Sequence, residues 1–575
     1  MIHNADIAKQ FETTADLLEI KGDNPFRIRA YRNAARVVED LPHELASMVK
    51  ANEDLTELPG IGKDLAEKIS EIVTTGSAKA LEKLRKELPP NITDLLNIPG
   101  LGPKRVKTLY AKLDVIDLDT LKQAAEAGKI RELAGLGEKT EKQILEAIKV
   151  QADTSKRFMR ASVTPYVDSL LDYLKGYDGV KKVDVAGSYR RGRETIGDLD
   201  FLVWAENPAQ VMEHFLNYEE KRDVLAHGET KSSMVLQSGV QVDLRVVPEE
   251  SYGAALHYFT GSKAHNIVMR KLAQQRKWKL NEYGLFDGET SLAGKTETDV
   301  FAALDLPYIP PELRENRGEI EAAQENELPE LIKIEDIRGN LHAHSRWSDG
   351  KNTIREMAEA AIEAGHEYLA MTDHSKRLTV ANGLDEDRLI AQIEEIDQVN
   401  AELKGIRVFK GIEVDILEDG SLDLSDSVLS LLDMVIVSVH SKFNLPADKQ
   451  TERIMRAMDN PYTTFVAHPT GRLVLGRPPY PVDVSRLIDH AKQRGCFLEL
   501  NANPQRLDLN DTFCQLAKRV GVKIAINTDA HSTLDHRHLS AGIAQARRGW
   551  LEKKDVINTG TLKQVEKLLR STRLE

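Results

Sequence analysis

Three aspartates in the first half of the chain have the types and spacing to hold divalent cations. Asp198 and Asp200 lie two residues apart at the start of the apolar run DLDFLVW, and Asp243 lies in the apolar run VQVDLRVV. Because alternate side chains of a strand point to one face, Asp198 and Asp200 are expected to lie together on a sheet. Three carboxylates buried on one face are costly unless cations neutralise them. We therefore predict a site for two Mg²⁺ or Mn²⁺ ions that activates a hydroxyl group for attack on a triphosphate.

A Gly-Ser pair precedes these aspartates at a defined distance. Gly187 and Ser188 end the run KKVDVAGS, and nine residues separate Ser188 from Asp198. Glycine lets a phosphate approach the backbone closely, and the N–H groups at the start of a following helix can bind it. A lone Asp-x-Asp is most often a surface turn. The Gly-Ser pair, the Asp-x-Asp and the further strand aspartate together are typical of a nucleotidyltransferase palm.

A second group of possible metal ligands lies in the last 240 residues, which hold ten of the sixteen histidines of the chain. These side chains stand mostly at the ends of strand-like runs, and such ends converge at one mouth of a parallel β/α barrel. Histidine and carboxylate ligands without cysteine suit Mn²⁺, Zn²⁺ or Fe²⁺, which would activate water for attack on a phosphorus centre. Asp373 is a weaker candidate, expected behind the ligands, and His366, in a helix-to-strand link, is expected to be exposed. The nine predicted ligands are His342, His344, Asp349, His374, Glu413, His440, His468, Asp529 and His531.

A glycine turn recurs in the first 150 residues, in LPGIGKDLAEKI, IPGLGPKRVKTL and LAGLGEKTEKQI. Each copy has a Gly-hydrophobic-Gly step directly before a helical pattern. Such a turn exposes backbone N–H groups at the start of a helix, and glycine leaves room for a phosphate. One copy is most often only a tight turn, but three copies resemble the helix-hairpin-helix motif, which binds the DNA backbone without reading bases. The six glycines are Gly60, Gly62, Gly100, Gly102, Gly135 and Gly137.

The overall composition excludes several classes of protein. Apolar residues make up 41% of the chain and charged residues 29%, which is ordinary for globular domains. The sequence has neither an apolar stretch long enough for a membrane span nor a signal-peptide core, so a cytoplasmic protein without a membrane partner is expected. The only cysteines, Cys496 and Cys514, exclude a disulfide framework. The net charge of −13 argues mildly against nucleic acid, but residues 263–279 carry six basic and no acidic side chains.

The apolar pattern divides the chain into five segments. Short amphipathic helices are predicted up to residue 150, followed by an α+β region and then an acidic linker. After the linker, strand-like runs alternate with helical ones, which indicates a parallel sheet closed as a barrel. The predicted boundaries are 1–85 and 86–150 for two helical domains, 151–315 for the α+β domain, 316–335 for the linker and 336–575 for the barrel.

Residues 258–286, YFTGSKAHNIVMRKLAQQRKWKLNEYGLF, resemble the thumb of family X DNA polymerases nearly from end to end. The resemblance implies an enzyme with an α+β nucleotidyltransferase palm and a thumb, which fills short gaps in DNA from deoxynucleoside triphosphates. By position, Tyr258 and Phe259 are implied to contact the sugar of the nucleotide, Asn266 a base edge and Arg270 the template. The nucleotide-binding residues implied in this way are Gly187, Ser188, Arg191, Tyr258, Phe259, Gly261, Lys263, Asn266 and Arg270.

Two positions depart from the vertebrate repair enzyme of this family. Lys263 replaces an acidic residue, and this cation near the nucleotide is predicted to tighten nucleotide binding. Gln241 replaces an arginine close to Asp243, so the coupling between domain closure and assembly of the metal site is expected to differ.

The first helical domain resembles the lyase domain of the same family, in NPFRIRAYRNAARVVEDLP followed by LPGIGKDLAEKI. The second, at 86–150, then corresponds to a fingers-like domain. The resemblance places Lys68 where the family has a lysine that attacks an abasic sugar, and Arg27 and Tyr31 as contacts to a 5′-phosphate. Asp64 stands where a basic residue is expected, and a carboxylate repels a phosphate. Lys68 is therefore either a lyase nucleophile or a solvated helix lysine.

The C-terminal ligand pattern resembles the polymerase and histidinol phosphatase (PHP) family, whose distorted barrel typically holds three metal ions. All nine ligand positions of that family are filled here. Beside a polymerase, the expected substrate is a DNA 3′ end, which gives 3′–5′ exonuclease, 3′-phosphatase or abasic-site endonuclease activity. Two alternatives stay open: the metals are structural, or the barrel is a phosphatase for small molecules. The expected partner is gapped or primed duplex DNA, bound by a monomer.

Overall fold

The computed structural model describes residues 4–39, 41, 45–51, 53–58, 60–89, 91–98, 101–133, 135–154 and 157–573. The chain divides into two compact units. The first comprises Met1–Phe158, Leu216–Ala226 and Ser233–Gln241, and the second comprises Met159–Phe215, His227–Ser232 and Val242–Glu575. Within the described ranges, every helix is too short or too polar to span a membrane.

Short helices build most of the first unit. Their apolar residues recur with a helical period, so that Leu65, Ile69 and Ile72 form one buried face of the helix Lys63–Thr75. Gly76 ends this helix at φ 88°, in the left-handed region that favours glycine. The helices are Asn4–Lys21, Pro25–Glu39, Leu45–Lys50, Leu55–Glu57, Lys63–Thr75, Lys79–Glu87, Ile92–Asn97, Pro103–Leu113, Leu118–Glu126, Ile130–Glu132 and Glu138–Thr154.

An antiparallel sheet positions the three aspartates. The strand Val180–Val185 pairs with Asp198–Ala205, with Val185 opposite Phe201, and the strand Gln241–Val247 lies on the other side of Asp198–Ala205. The further strands up to residue 293 are Phe158–Met159, Thr195–Ile196, Lys221–His227, Lys231–Leu236, Lys279–Asn281, Gly284–Asp287 and Thr290–Ala293. The helices are Arg160–Lys175, Gly187–Arg190, Pro208–Leu216, Glu249–Ser251, Tyr252–Thr260, Lys263–Gln275, Glu297–Ala303 and Pro311–Leu313.

The segment 316–335, predicted to be a linker, is folded within the second unit. It contains the helix Glu319–Gln324, on which Glu319 and Ile320 are buried. The carboxylate of Glu319 accepts a hydrogen bond from Nδ1 of His265 at 2.8 Å. The role of this segment as the link between two domains stays a prediction, but the segment is not an extended tether.

A parallel sheet in chain order forms the C-terminal part of the second unit. Its strands are Gly339–Asn340, Tyr368–Met371, Arg407–Asp415, Met434–Ser438, Thr463–Val466, Phe497–Asn501 and Ile524–Asn527. Ala343 and Ala530, which follow the first and last of these strands, form a parallel bridge, so the sheet curls into a barrel. The predicted fold class is therefore confirmed. The surrounding helices are Ile334–Asp336, Ile354–Glu363, Thr379–Ala381, Glu386–Glu402, Asp426–Leu429, Ala447–Met458, Val484–Arg494, Asp511–Val520, Thr533–His538, Leu539–Arg548, Lys553–Asp555, Ile557–Thr559 and Leu562–Ser571.

Candidate active sites

The nine predicted ligands of the C-terminal barrel lie together at its mouth. Eight of them lie in or just after a barrel strand, and Asp349 comes from the loop before Ile354–Glu363. Within each of three groups, potential ligand atoms lie within 4.8 Å of one another. The groups are His344, Asp349, His374 and His531; His342, His344 and Asp529; and His374, Glu413 and His440. Nε2 of His468 completes the set, 2.9 Å from Oε1 of Glu413.

The donor atoms of this cluster fit divalent cations. Glu413 is almost fully buried, and its Oε2 lies 2.9 Å from Nδ1 of His374 without the geometry of a hydrogen bond. A ring nitrogen and a carboxylate oxygen this close, without a hydrogen bond between them, can both bind one cation. Burial alone would raise the pKa of Glu413, but the surrounding histidines hold that pKa well below its usual value.

Backbone strain accompanies two of these ligands. His468 has φ 29° and Asp529 has φ 52°, in the left-handed region that non-glycine residues rarely adopt. Such conformations persist only where the surroundings impose them, and they concentrate at functional sites. Each residue lies two positions after the end of a barrel strand, where the chain leaves the sheet at the barrel mouth.

Glu499 holds two of the ligands in position through hydrogen bonds, and it was not predicted from the sequence. Its Oε1 accepts a hydrogen bond from Nδ1 of His342 at 2.7 Å, and its Oε2 accepts one from the backbone N–H of His468 at 2.8 Å. A carboxylate on one ring nitrogen fixes the tautomer and directs the other nitrogen to a metal. The run CFLELNAN contains this residue, and a charged side chain inside an apolar strand was the available signal.

The two weaker candidates of this region, Asp373 and His366, differ in whether the structure agrees with their predicted positions. Asp373 lies behind the ligands, where it accepts hydrogen bonds from the backbone N–H of Ser345 at 2.8 Å and from Oγ of Ser345 at 2.7 Å. His366 was expected to be exposed, and this expectation is wrong. The ring is 6% exposed because it packs edge-on against His536, and burial lowers its pKa to about 4.

The three aspartates of the antiparallel sheet form the second candidate site. Asp198 is exposed, whereas Asp200 and Asp243 are half-buried on adjacent strands. Burial, followed by the charges of Asp198 and Asp243, raises the pKa of Asp200 to about 7. An acid in this state gains from a neighbouring cation, so the carboxylate set fits divalent metal ions.

Gly187 lies directly against one of these acids. It has φ 62°, and a Cβ atom built at this position would lie 2.3 Å from Oδ2 of Asp200. Glycine is therefore required both by the backbone conformation and by the closeness of the carboxylate. Ser188 follows it in the short helix Gly187–Arg190.

The implied sugar contacts lie on one helix that borders this sheet. Tyr258 and Phe259 are neighbours on Tyr252–Thr260, with ring centroids 5.1 Å apart in an edge-to-face arrangement. The guanidinium of Arg245 lies 4.3 Å from the centroid of Phe259, and its charge also acts on Asp200. Arg245 was not predicted, although it lies two residues after Asp243 and so on the same strand face.

The remaining implied nucleotide contacts lie at the next helix start. Gly261 has φ 69° and precedes Lys263–Gln275, whose first residue, Lys263, is exposed. Nδ2 of Asn266 donates to the carbonyl of Tyr258 at 2.7 Å, while its Oδ1 is buried without a partner among the described residues. Nε of Arg270 donates to the carbonyl of Asn266 at 3.2 Å.

The glycine turns of the first unit have free space beside their backbone. Gly62 and Gly102 are the N-cap residues of Lys63–Thr75 and Pro103–Leu113, and Gly137 directly precedes Glu138–Thr154. Gly60 and Gly135 adopt φ 77° and 82°. A Cβ atom at any of these five glycines would have no atom within 4 Å, so a phosphate can approach the backbone there. Gly100 lies outside the described residues.

The predicted lyase lysine is paired with a carboxylate. Nζ of Lys68 donates to Oδ1 of Asp64 and, at 3.2 Å, to its carbonyl. Tyr31 is 2% exposed and packs edge-on against Phe11, so it is a core residue rather than the phosphate contact expected from the sequence.

Comparison with known proteins identifies related families along the chain. Residues 2–78 match the helix-hairpin-helix domain, and 92–149 match the SAM-like helix-hairpin-helix tandem. Residues 255–315 match the DNA polymerase beta thumb, and 340–503 match the PHP domain.

One similar protein covers nearly the full chain, and two others cover less than half of it. The chain is 42% identical over 573 residues to the DNA polymerase/3′-5′ exonuclease PolX of Bacillus subtilis (strain 168), covering 99% of this chain and 100% of that protein. A probable phosphatase of Thermoanaerobacter sp. (strain X514) is 31% identical over 245 residues, covering 41% of this chain and 95% of the phosphatase. A probable phosphatase of Acetivibrio thermocellus is 31% identical over 205 residues, covering 34% and 80% respectively.

Proposed function

Since the chain belongs to the bacterial-type family X DNA polymerases that carry a PHP domain, we propose that it both extends and trims DNA 3′ ends. In this proposal it fills short gaps with deoxynucleotides, and the barrel removes nucleotides or phosphate from the 3′ terminus. The observation that carries the proposal is the presence of two separate clusters of metal-binding side chains in one chain. One cluster contains three aspartates on a sheet, and the other contains nine ligands at a barrel mouth.

In the polymerase reaction, Asp198, Asp200 and Asp243 would hold two Mg²⁺ or Mn²⁺ ions. These ions, when bound, lower the charge on the triphosphate and on the attacking oxygen. Gly187 gives the phosphates access to the backbone beside Asp200, and Arg191 and Ser188 bind the phosphate oxygens.

The thumb residues orient the nucleotide in this proposal. Tyr258 and Phe259 pack against its sugar, where they leave too little space for a 2′-hydroxyl group. Nδ2 of Asn266, which here donates to the carbonyl of Tyr258 at 2.7 Å, would donate instead to an acceptor on the minor-groove edge of the base. Lys263 is exposed at the same helix start and adds positive charge near the phosphates.

In the hydrolytic reaction, the nine barrel ligands would hold three ions, and their donor set suits Mn²⁺, Zn²⁺ or Fe²⁺. When bound, these ions would activate a water molecule and neutralise charge on the phosphoryl group. Glu499 orients His342 and the backbone of His468. The similarity to probable phosphatases supports hydrolysis of phosphate esters by this barrel.

DNA is the proposed partner of both reactions. The open glycine turns bind the backbone of gapped or primed duplex DNA through N–H groups, which gives binding without base preference. We propose that the chain acts as a monomer in the cytoplasm, because one chain carries both clusters. Whether Lys68 acts as a lyase nucleophile stays a prediction, and its pairing with Asp64 is the contact that a lyase would have to break.

One gel experiment tests both halves of the proposal. A 5′-labelled primer on a duplex with a one-nucleotide gap is incubated with enzyme and Mn²⁺, with and without deoxynucleoside triphosphates. We expect extension with nucleotides and shortening without them. The Asp200→Ala variant should lose extension only, and the His344→Ala variant should lose shortening only.

Each other outcome has a defined meaning. A primer neither extended nor shortened by folded, metal-loaded enzyme would contradict the proposal. Shortening that persists in His344→Ala would mean that the barrel metals are structural. Release of phosphate from free phosphomonoesters, without attack on DNA ends, would identify the barrel as a small-molecule phosphatase.

A further inference from the structure

The loop that binds the triphosphate in the proposed function rests on residues of the C-terminal barrel. Arg191 lies in this loop, and two bonds fix its guanidinium. Its Nε donates to Oε1 of Glu315 at 3.1 Å, and its Nη1 donates to the carbonyl of Thr260. A guanidinium has five N–H donors, so these two bonds can coexist with bonds to phosphate oxygens.

Glu315 is shared between the loop and the barrel. Its Oε1 also accepts a hydrogen bond from Nη1 of Arg548 at 2.9 Å. Arg548 lies at the end of the barrel helix Leu539–Arg548, and its side chain is 2% exposed. Both arginines therefore donate to one carboxylate oxygen. Because Arg548 is buried, few other positions are open to its guanidinium or to the carboxylate that it binds.

Arg548 also holds the backbone of the same loop. Its Nη1 donates to the carbonyl of Arg191 at 2.8 Å, and its Nη2 donates to Oδ2 of Asp511 at 2.7 Å. One barrel side chain thus contacts both the backbone of Arg191 and the carboxylate that orients the Arg191 guanidinium. Asp511 fixes Arg548 from the barrel side.

Two further contacts join the loop to the barrel. Glu194 forms a bidentate ion pair with Arg472, at 3.2 Å and 2.6 Å, and Arg472 is 12% exposed. At Gly192, whose φ is 67°, a Cβ atom would lie 3.5 Å from the Cβ of Ala544. The loop residues Arg191, Gly192 and Glu194 are therefore packed on the barrel.

We infer that Arg548 is a positioning residue for the polymerase reaction, which sets the affinity for the incoming deoxynucleoside triphosphate through Glu315 and Arg191. The barrel thereby contributes to DNA synthesis without contacting the nucleotide. This inference rests on the proposed binding of the triphosphate by Arg191, and the experiment separates the two.

The test measures kcat and KM for the complementary deoxynucleoside triphosphate on a one-nucleotide-gapped duplex. The variants of the full chain are Arg548→Lys, Glu315→Gln, Arg191→Ala and the double variant Arg191→Ala with Arg548→Lys. Arg548→Lys keeps the charge but cannot bond the Arg191 carbonyl, Glu315 and Asp511 together, so KM should rise about tenfold with little change in kcat. Glu315→Gln, which removes the shared charge, should raise KM similarly.

The matched control is Arg547→Lys on the same helix. Nε of Arg547 donates to Glu312 at 2.7 Å and its Nη1 to the carbonyl of Ile332 at 3.0 Å, so it does not hold Arg191. Its KM should equal that of the unaltered enzyme. Primer shortening without nucleotides is measured on each preparation, and an unchanged rate verifies that the barrel is folded.

The double variant decides how Arg548 acts. If it acts through Arg191, then Arg548→Lys has no further effect on KM once Arg191 is replaced. If the increases in KM of the two single variants multiply in the double variant, Arg548→Lys acts by loosening the loop in general, and the inference is overturned. An unchanged KM in both Arg548→Lys and Glu315→Gln, with a raised KM in Arg191→Ala, would also overturn it. An unchanged KM in Arg191→Ala would overturn the inference together with the proposed triphosphate contact.

Discussion

The two candidate sites differ in how the negative charge of their carboxylates is offset by neighbouring side chains. On the sheet, three carboxylates share one face, and the pKa of Asp200 is raised to about 7 by burial and by its two acidic neighbours. At the barrel mouth, carboxylates alternate with histidines, and Glu413 lies 2.9 Å from ring nitrogens of both His374 and His468. Two cationic side chains near the sheet site only partly offset these charges: Arg245, and Lys231, whose Nζ lies 3.6 Å from Oδ2 of Asp243. At the barrel mouth, by contrast, Glu413 faces several histidines.

The two sites therefore differ in how far their ligand geometry is formed before a metal ion binds. The barrel ligands are held by one another and by Glu499, so their geometry is formed in advance. The aspartates repel one another, and they gain most when Mg²⁺ arrives with its triphosphate. We expect weak resident metal on the sheet and tightly held metal in the barrel.

Replacing Asp200, whose pKa is raised, should have the largest effect of the changes that test this comparison. Asp200→Asn removes one of three repelling charges, so the free energy of unfolding in a metal chelator should rise by about 1–3 kcal/mol. The same change removes a metal ligand, and primer extension should fall by about a thousandfold or more. Urea unfolding and gap filling are the measurements, with primer shortening as the control. A fall in stability would contradict the repulsion.

The matching change in the barrel should have the opposite sign. Glu413→Gln removes a buried charge that faces histidines, so the free energy of unfolding in chelator should fall by about 3 kcal/mol. Primer shortening should be lost and primer extension retained. If this variant were as stable as the unaltered chain, the barrel ligands would not be stabilising one another without metal.

A third way to neutralise buried charge gives a pH-dependent prediction. Glu297 pairs with Arg190 at 2.6 Å and with Arg314 at 2.6 Å. Burial alone would raise its pKa, but the two arginines lower it from 4.5 to about 2. A depressed pKa contributes stability that is present above the unfolded value and lost as the pH falls through the folded value. Glu297→Gln should therefore cost about 3 kcal/mol at neutral pH.

The measurement for Glu297→Gln is thermal unfolding of the variant and the unaltered chain as a function of pH. Their difference should be constant at neutral pH and should shrink as the pH falls from 4.5 toward about 2. Asp305→Asn is a suitable control, since Asp305 is 83% exposed and its ion pair with Arg276 should contribute little. A difference independent of pH would assign the effect to packing.

The smallest expected effect concerns the support of the barrel ligands. Glu499→Gln keeps the shape of the side chain but weakens its hold on Nδ1 of His342, so metal affinity and primer shortening should fall by about 10- to 100-fold. Metal content after dialysis and the rate of shortening are the measurements. Extension should not change. A variant with unaltered metal affinity would show that the other ligands alone set the geometry.

The family and the fold class could be predicted because local patterns specify them. The spacing of Asp198 and Asp200 on a strand, the repeated glycine turns and the alternation of strands with helices all depend on short-range geometry. The membership of the family is confirmed by the relative that matches the full chain. The roles assigned to individual site residues stay predictions.

Long-range pairing could not be read from one sequence. Glu315 and Arg548 are 233 residues apart, and nothing local to either indicates that they meet. His366 was assigned to the surface from its place in a link, yet His536, distant in sequence, covers it. The acidic composition of 316–335 suggested a tether, but Ile320 and Ala323 lie on one buried face of a helix.

The position of the helix Leu539–Arg548 along the chain has a consequence for synthesis of the protein. Asp198, Asp200 and Asp243 leave the ribosome long before this helix, yet the loop beside them acquires its full support only when Arg548 has folded against it. The barrel ligands Asp529 and His531 also emerge late, shortly before the same helix. A nascent chain therefore lacks both a supported nucleotide loop and a complete hydrolytic cluster, and the two mature together.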